Sequence, residues 1–257
     1  GSDVVRLSGT VPVAAGPQTL RLGIDDPAHY AAWRLRALLV ERGVRVTGAV
    51  GTRHRAPGPA DDPALRRGVP PPRPPQQPFL ARLTPPPLAA GVAQVNKVSQ
   101  NLHAELLLRR IGREAGTGSV ADGLAAVHAL IDRAGVPRAQ YDLFDGSGMS
   151  TYNRLSPRGV AAFLRWARTQ PWGEAWRAGF PVAGVDGTLA RRFAGTPLEG
   201  RLFAKTGALN ATHALSGYML ARSGRALVFS AFANDAPEGA GATAAMDAAL
   251  VAVAEAN

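Results

Sequence analysis

The sequence predicts an α+β fold in which an antiparallel sheet is backed by helices. Three observations carry that prediction. Toward the carboxyl end, three strand-like runs (202–208, 211–220 and 226–233) follow one another with only short turns between them, and Ser223-Gly224-Arg225 marks the last turn. Upstream, apolar residues recur at helical spacing in several segments of 9 to 15 residues. The chain has 257 residues, 46% of them hydrophobic, which suits one large domain or two small ones with an ample core. Strands that are neighbours in sequence pair antiparallel, and helices set apart from them in sequence pack on the sheet faces.

Taken in order, Val4–Gly9 and Gln18–Leu22 read as short strands between turns. Asp25-Asp26-Pro27 then marks a helix start, with an aspartate cap and proline in the first turn. That helix should run from Ala28 to about Arg42, with Trp33, Leu35, Leu38 and Leu39 as its apolar stripe, and Gly43 should close it. Val44–Val50 reads as a strand, so the opening 55 residues form a small α/β or α+β piece. Prolines at 57, 59, 63, 70, 71, 72, 74, 75 and 78 exclude helix and interior strand across 56–78, which is expected to be an exposed, partly disordered linker. Phe79–Leu83 should be a strand. Helices are expected over Pro87–Val95, Leu102–Glu114, Val120–Ala134 and Pro157–Arg168, and an alanine-rich helix over Ala242–Glu255.

Composition narrows the function. Cysteine is absent, which excludes disulfides and thiol catalysis. No apolar run approaches the roughly 20 residues that a membrane span needs. The net charge of +10 could serve nucleic acid, but the arginines are spread along the chain and no basic block interleaves with aromatics. Nucleic acid is therefore not the expected partner. His103 and His213 lack any ligand spacing, so no metal site and no cofactor is expected.

Of the 29 Lys and Arg residues only two are lysines, Lys97 and Lys205. Lys205 opens Lys205-Thr206-Gly207 on a predicted strand, where the glycine marks a bulge or a close backbone approach. An extended peptide could pair with that edge, its carboxylate held by Lys205 and the Thr206 hydroxyl. Ser99-Gln100-Asn101 lies at a predicted helix start. Residues two apart do not share a helical face, so Ser99 and Asn101 reach one cleft only from such a turn, and either could instead serve as the helix N-cap.

Together the two tripeptides resemble the second and third signatures of penicillin-binding proteins, Ser-Asp-Asn and Lys-Thr-Gly, in the right order, with Gln100 in place of the aspartate. Four blocks sharpen the resemblance: Val95–Leu107, Asp145-Gly146-Ser147-Gly148-Met149-Ser150 with Asn153-Arg154, Pro181–Leu189, and Ala204–Leu209 followed by Leu215-Ser216-Gly217-Tyr218. They resemble the class C low-molecular-mass penicillin-binding proteins, D-alanyl-D-alanine carboxypeptidase/endopeptidases of the DacB type, over about Gly1 to Phe232. The resemblance implies a penicillin-binding/β-lactamase-like domain. On this reading residues 1–55 are the distal part of an inserted accessory domain, 56–78 a proline-rich linker, and 79–257 the distal part of the penicillin-binding domain.

That family's nucleophile is the serine of Ser-x-x-Lys. Gln94 and Leu202 stand three residues before the two lysines, so this sequence contains no such motif. The chain is therefore expected to be the distal part of such a protein. By the resemblance, Ser99 relays a proton to the leaving amine, Asn101 binds the substrate amide and Lys205 supplies positive potential. Thr206 binds the terminal carboxylate, Gly207 leaves room for the substrate backbone, and the Ala208 N–H is one oxyanion donor. Asp145 and Ser147 lie on the cleft side, while Asp186 and Glu105 pair structurally with arginine or backbone. Peptidoglycan stem peptides and β-lactams are the implied partners, and periplasm or cell wall the implied location. A divided cleft would expose apolar surface and favour pairing with another chain, a second copy included. Two other readings compete: a non-catalytic module that grips cell-wall peptide or a partner, and a class A-like β-lactamase.

Overall fold

The computed structural model describes residues 6–20, 22–73, 75 and 78–257. The chain divides into two units, Gly1–Ala56 and Pro57–Asn257.

The amino-terminal unit is built on α1 (Pro27–Glu41). Asp26 caps it by accepting the His29 N–H at 2.9 Å, with proline at the first helical position. The same carboxylate accepts from Thr52 Oγ1 and meets His54 Nε2, each at 3.2 Å, which ties 52–54 back to the helix start. Gly43, at φ +81°, ends the helix: its N–H reaches Val40 O while Val44 N–H reaches Leu39 O, both at 2.9 Å. The expected strands over 6–9, 18–20, 22 and 44–50 do not form among the described residues; Val4, Val5 and Arg21 lie outside them. A strand needs a neighbour to complete its ladder, and no such neighbour is present in the described part of this unit. The apolar stripe of α1 is only half realised, because Trp33 and Leu35 are exposed.

The larger unit contains α2 (Leu88–Val98), α3 (Asn101–Ala115), α4 (Val120–Arg133), α5 (Pro157–Arg168), α6 (Gly173–Ala178) and α7 (Ala242–Ala256). Tyr141–Asp142 (β1) and Arg154–Leu155 (β2) form a small antiparallel ladder. The main sheet is β3 (Leu202–Leu209), β4 (Thr212–Leu220) and β5 (Ala226–Ala233), antiparallel in the order β3-β4-β5. Asn210, at φ 49°, and Ala211 make the two-residue turn from β3 to β4. Gly224, at φ +87°, turns the chain into β5, where the Ala221 N–H meets Arg225 O at 2.9 Å.

Alternation along the strands gives the sheet two buried faces. Leu202, Ala204, Leu215, Met219 and Phe229 pack with Leu250 and Ala254 of α7 and with Leu189, Phe193 and Leu198 from the loop before β3. On the other face Tyr218 packs against Leu164 of α5 and Phe180, and its hydroxyl donates to Leu164 O at 2.8 Å. Ser119 caps α4 and Ser156 caps α5, each through its side chain. The proline-dense segment is less free than its composition suggests. Arg66 forms a buried ion pair with Asp122, Ser119 Oγ donates to the Asp61 carbonyl, and Arg73 reaches Arg113 O. Pro74, Gln76 and Gln77 lie outside the described residues. Phe79–Leu83 forms no strand, and its apolar residues Phe79, Leu80 and Leu83 are exposed.

Candidate active site

Two helices and one strand meet where the Ser-Gln-Asn and Lys-Thr-Gly tripeptides lie. α2 ends at Val98 and α3 begins at Asn101, and Ser99 makes the corner with φ 55° and ψ 55°. That is the left-handed region, which a side-chain-bearing residue adopts at some cost. The cap of α3 is Gln100, whose side chain accepts the His103 N–H at 2.9 Å. Neither Ser99 nor Asn101 serves as the cap. The motif's central position therefore performs the local structural task, and the two outer side chains are left to face elsewhere.

Lys205 projects from β3 onto the sheet face that also bears Ser216 and Ser230, its register neighbours across β4 and β5. Its ammonium donates to Ser99 Oγ at 2.7 Å and to Thr206 O at 2.8 Å. Burial holds its pKa below that of a free lysine. Among the described residues no carboxylate pairs with it. The other lysine has the opposite fate: Lys97, near the end of α2, forms an ion pair with Asp186. Asp186 also accepts the Val182 N–H at 2.9 Å. It was expected to pair with arginine or backbone, and it takes lysine and backbone.

The open edge of β3 is defined by its neighbours. The Ala204 N–H bonds Pro181 O at 3.0 Å, away from β4. Backbone groups alternate sides along a strand, so the amides of Thr206 and Ala208 point to that same side. Among the described residues they have no ladder partner there. Gly207 is exposed, and a Cβ there would touch only Ala214 Cβ, at 3.4 Å. Space for a close backbone approach therefore exists, and glycine is not demanded by the packing beneath it.

Asp145 and Ser147 occupy a separate loop. Asp145 accepts from Gly148 N at 2.9 Å, Ser150 N at 2.6 Å and Asn153 Nδ2 at 2.8 Å. Burial would raise its carboxyl, but these hydrogen bonds outweigh that and hold it below its ordinary value. Glu105 grips the loop from α3 by accepting Gly146 N–H at 3.1 Å and Ser147 N–H at 2.9 Å. Asn101 and Glu105 are four residues apart, so the loop is fixed along the helix face on which Asn101 begins. No described hydrogen bond joins Asp145 or Ser147 to Ser99, Asn101 or Lys205. One contact was not anticipated from the sequence: Thr206 Oγ1 donates to Thr188 Oγ1 at 2.8 Å. Thr188 lies in the Pro181–Leu189 block, and its signal in the sequence is a hydroxyl residue following Asp-Gly in a short loop.

A family model described as D-Ala-D-Ala carboxypeptidase 3 (S13) matches residues 1–255. The chain belongs to this family. It is 35% identical, over 99% of its length, to a D-alanyl-D-alanine carboxypeptidase of Actinomadura sp. strain R39, and covers 45% of that protein. It is 34% identical over 64% of its length to carboxypeptidase DacB of Mycolicibacterium smegmatis, covering 37% of that protein. In structure it resembles penicillin binding protein 4 (dacB) from Haemophilus influenzae complexed with a β-lactam. The TM-score is 0.68 at 26% identity, over 85% of this chain and 47% of that one. The S13 chain thus spans less than half the length of the relatives it matches.

Proposed function

We propose that this chain carries the Ser99–Asn101–Lys205 side of the active site of a penicillin-binding, serine-type D-Ala-D-Ala carboxypeptidase/endopeptidase acting on peptidoglycan stem peptides. The observation that carries this is the 2.7 Å hydrogen bond from Lys205 Nζ to Ser99 Oγ, made between residues 106 apart in sequence. Because Lys205 donates, the Ser99 hydroxyl keeps its own proton for a second partner. The nucleophile belongs to a Ser-x-x-Lys motif that this sequence does not contain.

In the reaction, the serine oxygen attacks the carbonyl carbon of the D-Ala-D-Ala bond. The C–N bond breaks, the leaving amine takes a proton relayed by Ser99, and water hydrolyses the acyl-enzyme. Lys205 supplies the positive potential for the terminal carboxylate, Thr206 contributes to binding it through its hydroxyl pair with Thr188, Asn101 binds the substrate amide, and the outward Ala208 N–H binds the developing oxyanion. One such donor contributes about 2.7–4 kcal/mol to the transition state. Asp145 and Ser147 shape the cleft wall through the loop that Glu105 holds. The substrate places this chemistry outside the cytoplasmic membrane, in periplasm or wall.

The test is intact-mass spectrometry after incubation with benzylpenicillin, on this chain and on the product of the complete gene. The complete product should gain one stable penicilloyl adduct, its Lys205→Ala variant should gain it far more slowly, and this chain should gain none. A complete product that stays unmodified removes the catalytic reading and leaves a binding module for cell-wall peptide.

A further inference from the structure

Three segments far apart in sequence close into a ring of side-chain contacts: Lys97 with Asp186, Thr188 with Thr206, and Lys205 with Ser99. Each segment contributes two members, one from each of two neighbouring contacts. Gly187, between Asp186 and Thr188, has φ +59°, and a Cβ there would lie 2.7 Å from Lys97 O. The Asp186–Thr188 turn is therefore pressed onto the end of α2, and the ion pair with Lys97 holds it there.

The ring sorts the charges. Lys97 is neutralised by Asp186, whereas among the described residues Lys205 meets only neutral oxygens, Ser99 Oγ and Thr206 O. The next residue along the strand, Thr206, shares one hydroxyl–hydroxyl hydrogen bond with Thr188. A hydroxyl pair consumes one proton, so the accepting member keeps an O–H for another partner. Thr188 is exposed, so that proton is open to a ligand. A carboxylate offers about four lone-pair sites, so an ammonium leaves room for that hydroxyl as well.

We propose that Thr188 is a specificity-determining residue: by accepting from Thr206 it keeps its own proton, it donates that hydroxyl hydrogen bond to the terminal carboxylate of the peptide, and the Lys97–Asp186 pair positions it. This deepens the carboxypeptidase reading and rests on it. Nothing in the Lys-Thr-Gly motif itself requires a second threonine. The ring supplies it from a different part of the chain, so preference for a free carboxylate over an amide depends on residue 188.

The experiment is an NMR titration of this chain with N-acetyl-D-alanyl-D-alanine and with its carboxamide. Wild type should prefer the acid. Thr188→Val, which keeps the shape and removes the hydroxyl, should weaken acid binding about tenfold and leave amide binding unchanged, since hydrogen bonds to charged groups are the stronger kind. Thr188→Ser should restore the acid preference to within about twofold, because it returns the donor. A merely structural role would weaken both ligands alike. If Thr188→Val keeps the full acid preference while Lys205→Met loses it, Thr188 has no such role and the carboxypeptidase reading stands. If wild type does not distinguish acid from amide, both fall.

Discussion

Replacing Asp122 by alanine should destabilise the larger unit by about 3–5 kcal/mol, the range expected when one partner of a buried ion pair is removed. The side chains of Arg66 and Asp122 are only 9% and 6% exposed, so water screens the pair little. The carboxylate also accepts from Thr117 N at 2.7 Å and Thr117 Oγ1 at 3.1 Å, and a Cβ on Gly116 would lie 2.1 Å from its Cγ. Alanine leaves the Arg66 charge buried, with the Ala60 carbonyl, 2.8 Å from its Nε, as its remaining partner. The double variant Arg66→Met/Asp122→Ala should lose less than the two single losses added together, because no charge is then stranded. Burial alone would raise the Asp122 carboxyl, but the hydrogen bonds from Arg66, Thr117 and Ser119 hold it below its ordinary value. Its stabilising contribution is thus complete above the unfolded carboxylate pKa and lost as pH falls through the folded one. Urea unfolding followed by tryptophan fluorescence, at pH 7 and at steps below pH 5, reads both effects. A loss under about 1 kcal/mol at pH 7, the scale of an exposed pair, would refute the reasoning.

Lys205→Met should raise the thermal midpoint at pH 7, because burial disfavours the charged amine in the folded state; the gain should vanish as pH climbs past the ordinary lysine value of 10.5, and a gain that grows with pH would contradict this. Gly217→Ala should cost about 3 kcal/mol or more by overpacking, since the new Cβ would lie 2.1 Å from Phe203 O and 2.6 Å from Ala204 Cα, both backbone atoms of β3; an unchanged denaturation midpoint would show that the strands separate easily. Gln100→Ala should lose the α3 cap, about 1 kcal/mol, while Gln100→Asp keeps it; equal stability of the two variants would mean that the His103 N–H contact contributes nothing.

Local order was legible wherever one segment carries its own pattern. The meander from 202 to 233 is punctuated by short turns, so that its three strands fall within a residue or two of their expected bounds. Asp26 announced its helix because a cap acts within three residues. The six-residue α6 was missed, being too short for a helical period to register. The strands expected before residue 55 and over Phe79–Leu83 show the reverse limit. A β pattern in sequence is an offer of pairing, and only a neighbour turns it into a strand.

By itself the sequence determined the residue types of the site and the order of its blocks: a lysine before Thr-Gly, a serine and an asparagine at a helix start, an Asp-Gly-Thr turn between them. It also determined the family, because the order of four blocks survives without knowing where they lie. Only the tertiary structure decided which lysine keeps a free charge. Composition cannot separate Lys97 from Lys205, but the fold brings Asp186 to the first and two neutral oxygens to the second. It decided, too, that Gln100 caps α3 and that Thr188 meets Thr206. The reason is physical: capping and alternation are set by backbone spacing along a few residues, whereas charge pairing depends on distances across the fold, and sequence separation does not encode those.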